Sequence, residues 1–102
     1  MIEGFVATRV VKIDGIPLNP AKSQKVRNHS PDGFCWGYAG SGPAQLALAI
    51  MLEFIDTERA QKLYQQFKFD VIAKLNKDED FIILSDEVSK WIEIQEGKND
   101  KA

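Results

Sequence analysis

Cysteine, histidine and long apolar runs are all scarce in this 102-residue sequence. The one cysteine, Cys35, cannot form an intrachain disulfide, which excludes a disulfide-framed fold and fits a reducing compartment. One cysteine and one histidine, with no carboxylate at ligand spacing to them, argue against a metal site. The longest apolar run, residues 46–52, is far shorter than the roughly 18 residues of a membrane span. We therefore expect neither a bound metal nor a membrane-spanning segment.

No excess of charge of one sign is present, because the net charge is only −2. This balance gives no general attraction to nucleic acid or to an anionic membrane surface, although a local basic patch remains compatible with it. The first ten residues, MIEGFVATRV, lack the basic and apolar regions of a signal peptide. We expect a soluble, cytoplasmic protein with one domain at residues 1–94 and a polar, disordered tail at 95–102.

The first forty residues carry β-strand and turn patterns. Asp14-Gly15 between apolar residues is typical of a two-residue hairpin turn, whose central positions both need a positive φ. Ser30-Pro31-Asp32-Gly33 has the composition of a type I turn, and Gly37 indicates a bulge or a close backbone approach. The predicted strands are residues 5–13, a short return strand, a short strand around 25–29, and 34–38.

The rest of the chain carries helical patterns. Residues 44–55 are apolar nearly all round, apart from a narrow stripe at Gln45, Ala49 and Glu53, so this helix should form the centre of the core. Pro43 fits its first position, with Ser41 or Gly42 as the N-cap. A second helix should run from about 57 to 75, followed by a strand at 81–84 and a helix capped by Ser85. The predicted fold is α+β, with N-terminal antiparallel hairpins packed on the buried central helix.

The glycine-rich segment 37–43 leads into the start of the central helix. Free N–H groups and the helix dipole at such a point can bind an anion, and Gly40, Ser41 and Gly42 are the candidate residues. No lysine follows, the spacing is not that of a dinucleotide fingerprint, and Pro43 removes one donor. A tight turn that lets the helix approach the sheet is therefore the default interpretation.

Three other combinations of side chains suggest chemistry. Cys35 and His29 could form a nucleophile–base pair, although a lone cysteine is more often a small buried hydrophobe and no third orienting group is evident. The polar 28–33 turn could form the rim of a pocket, or its side chains could simply bond the turn's own backbone. Basic and aromatic residues that could bind single-stranded nucleic acid are Lys22, Lys25, Arg27, His29, Trp36 and Tyr38.

A long motif, NHSPDGFCWGYAGSGPAQLALAIML at residues 28–52, resembles the signature of a small uncharacterised family of bacteria, archaea and their phages. Residues 11–20, 60–75 and 81–93 are similar to the same family, which is known only as a domain of unknown function. The resemblance marks as motif positions His29, Ser30, Gly33, Trp36, Gly37, Tyr38, Gly40, Ser41, Gly42, Pro43 and Gln45, without giving any of them a role. Cys35 and Ala39 stand at variable positions of the motif. The resemblance implies an acidic residue at the position of Cys35 and a glycine at the position of Ala39. Cys35 is thus a poor candidate for chemistry shared by the family.

Three functions are open at this point. The first is a non-catalytic binding or interaction module, such as a phage or mobile-element accessory protein, with no cofactor and no catalytic residue. The second is a binder of a small anionic ligand, or an enzyme, whose site joins the 28–33 turn to the 40–43 helix start. The third is a single-stranded nucleic-acid binder that uses Lys25, Arg27, Trp36 and Tyr38. Protein, small-molecule and homo-oligomeric partners are all compatible with the sequence. The candidate ligand-binding residues are His29, Ser30, Trp36, Tyr38, Gly40, Ser41, Gly42 and Gln45.

Overall fold

A computed structural model describes residues 1–100 and has the predicted α+β architecture. Four antiparallel strands form one sheet in the order β3-β2-β1-β4. Four α-helices follow or interrupt the strands, and a short 3₁₀ helix at Ile72–Lys74 follows α3. None of the helices among residues 1–100 combines the length and the apolar character needed to cross a bilayer. The strands are β1 Ile2–Phe5, β2 Val10–Ile13, β3 Ile16–Pro17 and β4 Phe81–Ile83, and the helices are α1 Pro20–Val26, α2 Ser41–Phe54, α3 Thr57–Asp70 and α4 Ser85–Asp100.

The first part of the sheet is two hairpins, one of which the sequence predicted. Asp14 and Gly15 have φ values of 51° and 81°, so they form the positive-φ turn between β2 and β3. Residues 5–13 are not one strand, as predicted, but two strands joined by a turn at 6–9. Arg9 closes that turn with φ 59°, and its N–H donates to the Phe5 carbonyl at 2.8 Å. Because positive φ is unfavourable for a non-glycine residue, the sequence carried no signal for this turn.

Two further strand predictions are wrong. Residues 25–29 do not form a strand, since 20–26 form α1, where the Asn19 side chain accepts a hydrogen bond from the Ala21 N–H and Pro20 begins the helix. An N-cap asparagine followed by proline is a helix-start signal. Residues 34–38 form no strand either, because they join no ladder of the sheet. The 30–33 turn is present, with the Gly33 N–H directed at the Ser30 carbonyl at 3.4 Å.

The central helix α2 is buried, as predicted. Every residue from Gly42 to Met51 is buried, and α2 contacts both α1 and α3. It begins at Ser41 with Gly40 as the N-cap, two residues before the predicted start at Pro43. The predicted polar stripe reaches solvent only at Glu53, because α1 covers Gln45 and Ala49 is 3% exposed.

The C-terminal half follows the predicted order with different boundaries. The Asp56 side chain caps α3 by accepting a hydrogen bond from the Arg59 N–H, and α3 ends at Asp70 rather than Leu75. β4 pairs with β1, and α4 begins at Ser85. Helix α4 continues to Asp100 and so occupies most of the predicted disordered tail at 95–102, of which residues 101 and 102 lie outside the described residues. The core is formed by the inner sheet face and the buried helix faces, with Ile2, Val11, Trp36, Leu46 and Phe67 among its members.

Candidate functional site

Gln45 joins the loop after α1 to the first turn of α2. Its Oε1 accepts hydrogen bonds from the N–H groups of His29 and Ser30, at 2.7 and 3.0 Å. Its Nε2 donates to the Ser23 hydroxyl at 2.8 Å and to the Arg27 carbonyl at 3.1 Å. All four hydrogen-bonding positions of this amide are thus satisfied by protein groups, and the residue is 0% exposed. His29, Ser30 and Gln45 are therefore brought together, and the Gln45 side chain is committed to holding the loop.

The imidazole of His29 is held by α3. Its Nε2 lies 2.7 Å from the Tyr64 hydroxyl, and the two rings are tilted with centroids 5.5 Å apart. Partial burial lowers the pKa of His29, and the positive charges of Arg27 and Lys68 lower it further. The imidazole is consequently biased toward its neutral form. The Cys35 thiol is directed instead at the Trp36 carbonyl, at 3.9 Å, and no hydrogen bond between Cys35 and His29 is present among the described residues.

The glycine-rich segment packs closely against its neighbours. A Cβ atom on Gly42 would lie 2.7 Å from Cβ of Cys35, and one on Gly37 would lie 2.5 Å from the backbone of Lys77. The predicted close approach at Gly37 is confirmed, and its N–H donates to the Ile72 carbonyl at 3.0 Å. Gly40 caps α2 without a side-chain hydrogen bond, and Ser41 is exposed. These glycines account for a tight turn into α2 without any ligand.

The predicted nucleic-acid site is divided between surface and core. Lys25 and Arg27 are exposed and Tyr38 is 42% exposed, but Trp36 is 0% exposed. The Trp36 indole donates to the Glu79 carbonyl at 3.1 Å and packs edge-on against Phe81. A side chain buried in this way cannot stack on a base, which leaves only one aromatic residue for that hypothesis.

A residue that the sequence analysis missed, Arg9, lies over the buried tryptophan. Its guanidinium carbon is 4.6 Å from the Trp36 ring centroid, within the range of a cation–π contact. Its Nη1 is buried and has no hydrogen-bond partner. Among the described residues, no carboxylate forms a salt bridge with Arg9. Arg9 therefore carries a positive charge that the described part of the chain does not neutralise.

The pKa of Tyr38 is set by its burial and by two neighbouring residues, Cys35 and Arg9. Partial burial raises the pKa of Tyr38, the neighbouring Cys35 thiol raises it further, and the positive charge of Arg9 acts in the opposite direction. Arg9 thus connects the turn at 6–9 with the aromatic segment before α2. No sequence signal could have revealed this, because a single arginine inside an apparent strand has no distinctive spacing.

A cleft of about 590 Å³, here called the Arg9 cleft, lies beside this arginine. It separates the start of β2 from the segment before α1 and from the 32–34 loop. Its volume falls within the range of small-molecule sites, roughly 300–1,000 Å³. It includes two residues of the predicted 28–33 turn but none of the 40–43 helix start, so the site differs from the one predicted. The lining residues are Thr8, Arg9, Val10, Val11, Pro17, Leu18, Asn19, Pro20, Asp32, Gly33 and Phe34.

The chemical character of this cleft is mainly apolar with one cation and one anion. Val10, Leu18 and Phe34 contribute apolar surface, Arg9 is the only basic residue of the lining and Asp32 the only acidic one. Asn19 already caps α1 with its side chain. Within residues 1–100 no cluster of three or more histidine, cysteine or carboxylate side chains could hold a metal ion. The arrangement is suited to holding a molecule rather than to activating a nucleophile.

Comparison with known proteins gives a family without an assigned activity. No curated protein and no solved structure shows significant similarity to this chain. Residues 4–94 match the family of unknown function DUF6166, and that span includes the Arg9 cleft, the Gln45 amide and the glycine-rich turn. The chain therefore belongs to the DUF6166 family of unknown function.

Proposed function

We propose that this protein is a non-catalytic binding module that holds a small anionic ligand with an apolar body in the Arg9 cleft. The observation that supports this is Arg9, a residue that lines a cleft of about 590 Å³ and whose guanidinium has no carboxylate partner among the described residues. A buried donor without a partner is costly, and buried polar groups in native proteins are nearly always bonded. A carboxylate or phosphate bound in the cleft would supply a counter-charge and an acceptor for the guanidinium of Arg9.

The surroundings of Arg9 favour a preformed site. Its backbone stays in a positive-φ conformation, and the cation rests on the rigid face of Trp36. Uncommon backbone conformations that the surrounding structure enforces are concentrated at functional sites. The planar guanidinium can present parallel N–H donors to a carboxylate, while Val10, Leu18 and Phe34 offer an apolar wall to the rest of the ligand.

Among the described residues, His29 and Cys35 do not contact each other as a base and a nucleophile would, which supports binding without catalysis. The His29 ring is bonded to Tyr64 and the thiol of Cys35 faces a carbonyl. Neither residue lines the Arg9 cleft. The cytoplasmic location and the phage or mobile-element setting remain expectations from sequence and belong to the same proposal.

The test compares matched ligands that differ in charge. Isothermal titration with 3-phenylpropionate, with phenyl phosphate and with the neutral 3-phenylpropionamide separates the contribution of the anion from that of the apolar body. We expect the anions to bind and the amide to bind at least 10-fold more weakly, since a charge-assisted hydrogen bond contributes about 1.5–3 kcal/mol.

Variants then localise the binding site. Arg9→Gln should weaken binding of the anions about 10- to 100-fold, whereas Arg27→Gln, at an exposed arginine outside the cleft, should leave it unchanged. Equal binding of amide and carboxylate, or full affinity in the Arg9 variant, would refute the proposal.

A further inference from the structure

One face of the sheet is left without a covering layer among the described residues. The strand register places Glu3 opposite both Lys12 and Ile82, and Phe5 opposite Val10, so all five side chains lie on the same face. We call these five residues the outer face. The opposite face carries the buried side chains of β1, β2 and β4 and packs on the helices, whereas none of the five belongs to the core.

The outer face contains both a protrusion and a hollow. Ile82, in the middle of β4, is 63% exposed, which is unusual for an isoleucine at the centre of a strand. On the β2 side of the same face is a hollow of about 370 Å³, lined by Phe5, Ala7, Thr8, Val10 and Lys12. An exposed isoleucine and an apolar hollow together make the outer face an apolar surface that a protein partner can cover.

The two charges on the outer face are arranged in a self-complementary way. Glu3 and Lys12 lie side by side on β1 and β2. Within residues 1–100 neither of them forms a salt bridge, and the Lys12 ammonium instead lies 5.5 Å from the Phe5 ring centroid. The centre of the face therefore carries one carboxylate and one ammonium, and each can form a salt bridge with a group of opposite charge. A second copy of the same face supplies both of these groups, whereas a ligand of one charge supplies only one.

We infer that the outer face binds a second copy of this chain in a two-fold symmetric dimer. A two-fold axis in the plane of the interface, between β1 and β2, brings Glu3 of each copy to Lys12 of the other. Pro17 and Ile82 lie in the same row of the sheet as Glu3 and Lys12, so the same operation places Ile82 of each copy over the exposed Pro17 of its partner. A two-fold interface is formed by the same surface patch of both copies, so the assembly stops at the dimer and leaves no second interaction surface exposed. This inference uses none of the charge of Arg9, although Thr8 and Val10 line both the hollow and the Arg9 cleft.

The decisive experiment is a charge-swap mixture of two full-length variants. Glu3→Lys leaves two ammonium groups on the outer face, and Lys12→Glu leaves two carboxylates, so each variant repels its own copy. We expect sedimentation velocity to show a dimer for the wild-type chain at micromolar concentration and a monomer for each variant alone. An equimolar mixture of the two variants should give a heterodimer, because each contact between positions 3 and 12 then joins an ammonium to a carboxylate.

Two exposed isoleucines provide the matched control. Ile82→Glu should produce a monomer, whereas Ile94→Glu, at a side chain 59% exposed on α4, should remain a dimer. Circular dichroism checks that each variant is folded, and the charge-swap mixture still decides the question if Ile82→Glu fails to fold. A wild-type chain that stays monomeric, or single charge variants that dimerise like the wild type, would overturn the inference, including the case in which another protein covers this face.

Discussion

Replacing Gln45 with leucine tests how much of the fold depends on a single buried amide. Leucine has nearly the same volume, so the substitution opens no large cavity, but it removes four hydrogen bonds at once. The bond to Ser23 is fully buried, and the bonds to His29, Ser30 and Arg27 are partly buried. The loop after α1 would lose its attachment to α2.

The magnitude follows from the burial of each bond. The buried Ser23 hydroxyl keeps its bond to the Pro20 carbonyl, so losing the Gln45 donor costs about 1 kcal/mol, and each of the three partly buried bonds contributes about 0.5–1.5 kcal/mol. Burial of the leucine side chain offsets part of this loss. We expect the free energy of unfolding to fall by about 2–5 kcal/mol, which is a large share of the stability of a domain of this size.

Thermal and urea denaturation measure this loss, and a melting temperature at least about 8 °C lower is expected. Gln66→Leu is the matched control, since Gln66 is exposed and donates one side-chain bond to Asp70 within α3. That change should alter stability by no more than about 0.5 kcal/mol. Amide hydrogen exchange should also accelerate at His29 and Ser30 in the Gln45 variant. A loss of stability as small as that of the control, with unchanged exchange at both amides, would refute this account of the loop.

Three other substitutions test separate contacts. Gly37→Ala places a Cβ atom about 2.5 Å from the Lys77 backbone at φ 85°, and it should lower the free energy of unfolding in urea by at least about 2 kcal/mol; wild-type stability would contradict the close approach. Asp56→Ala removes the acceptor for the Arg59 N–H and should cost about 1 kcal/mol, measured in the same way; no loss would mean that the cap is replaced by water. The lowered pKa of His29 means that the unfolded chain binds a proton at higher pH than the folded chain does. Stability should therefore fall as the pH drops below about 6.5, toward the folded-state pKa. His29→Gln should flatten that part of a melting-temperature profile, and an unchanged slope would show that other groups cause it.

Much of the α+β order could be predicted because its signals are local. Asp14-Gly15 specifies a turn through the conformations its residues tolerate, and Asp56 specifies a helix start through its own side chain. The apolar run of α2 predicts burial whatever covers it. The errors arose where a tertiary contact decides the backbone. Arg9 keeps a positive φ in a turn that its side chain supports on Trp36, and residues 34–38 have strand composition but no neighbouring strand to pair with.

The candidate site, too, was predictable from the sequence only in part. The sequence alone marked His29, Ser30 and Gln45 as unusual polar residues near a glycine-rich helix start, and they do meet. It could not show that all four hydrogen bonds of the Gln45 amide are made to other groups of the protein, or that the Trp36 side chain is fully buried. Those outcomes depend on which elements pack over them.

By itself the sequence determined the fold class, the buried central helix and the turns whose residues carry their own conformational preference. Only the tertiary structure decided which polar groups were satisfied and which were left over. Local preferences act through a few neighbouring bonds, whereas burial and hydrogen bonding depend on residues far apart in the chain. Arg9 and the outer face became visible only when Trp36, the 32–34 loop and β4 were placed around them.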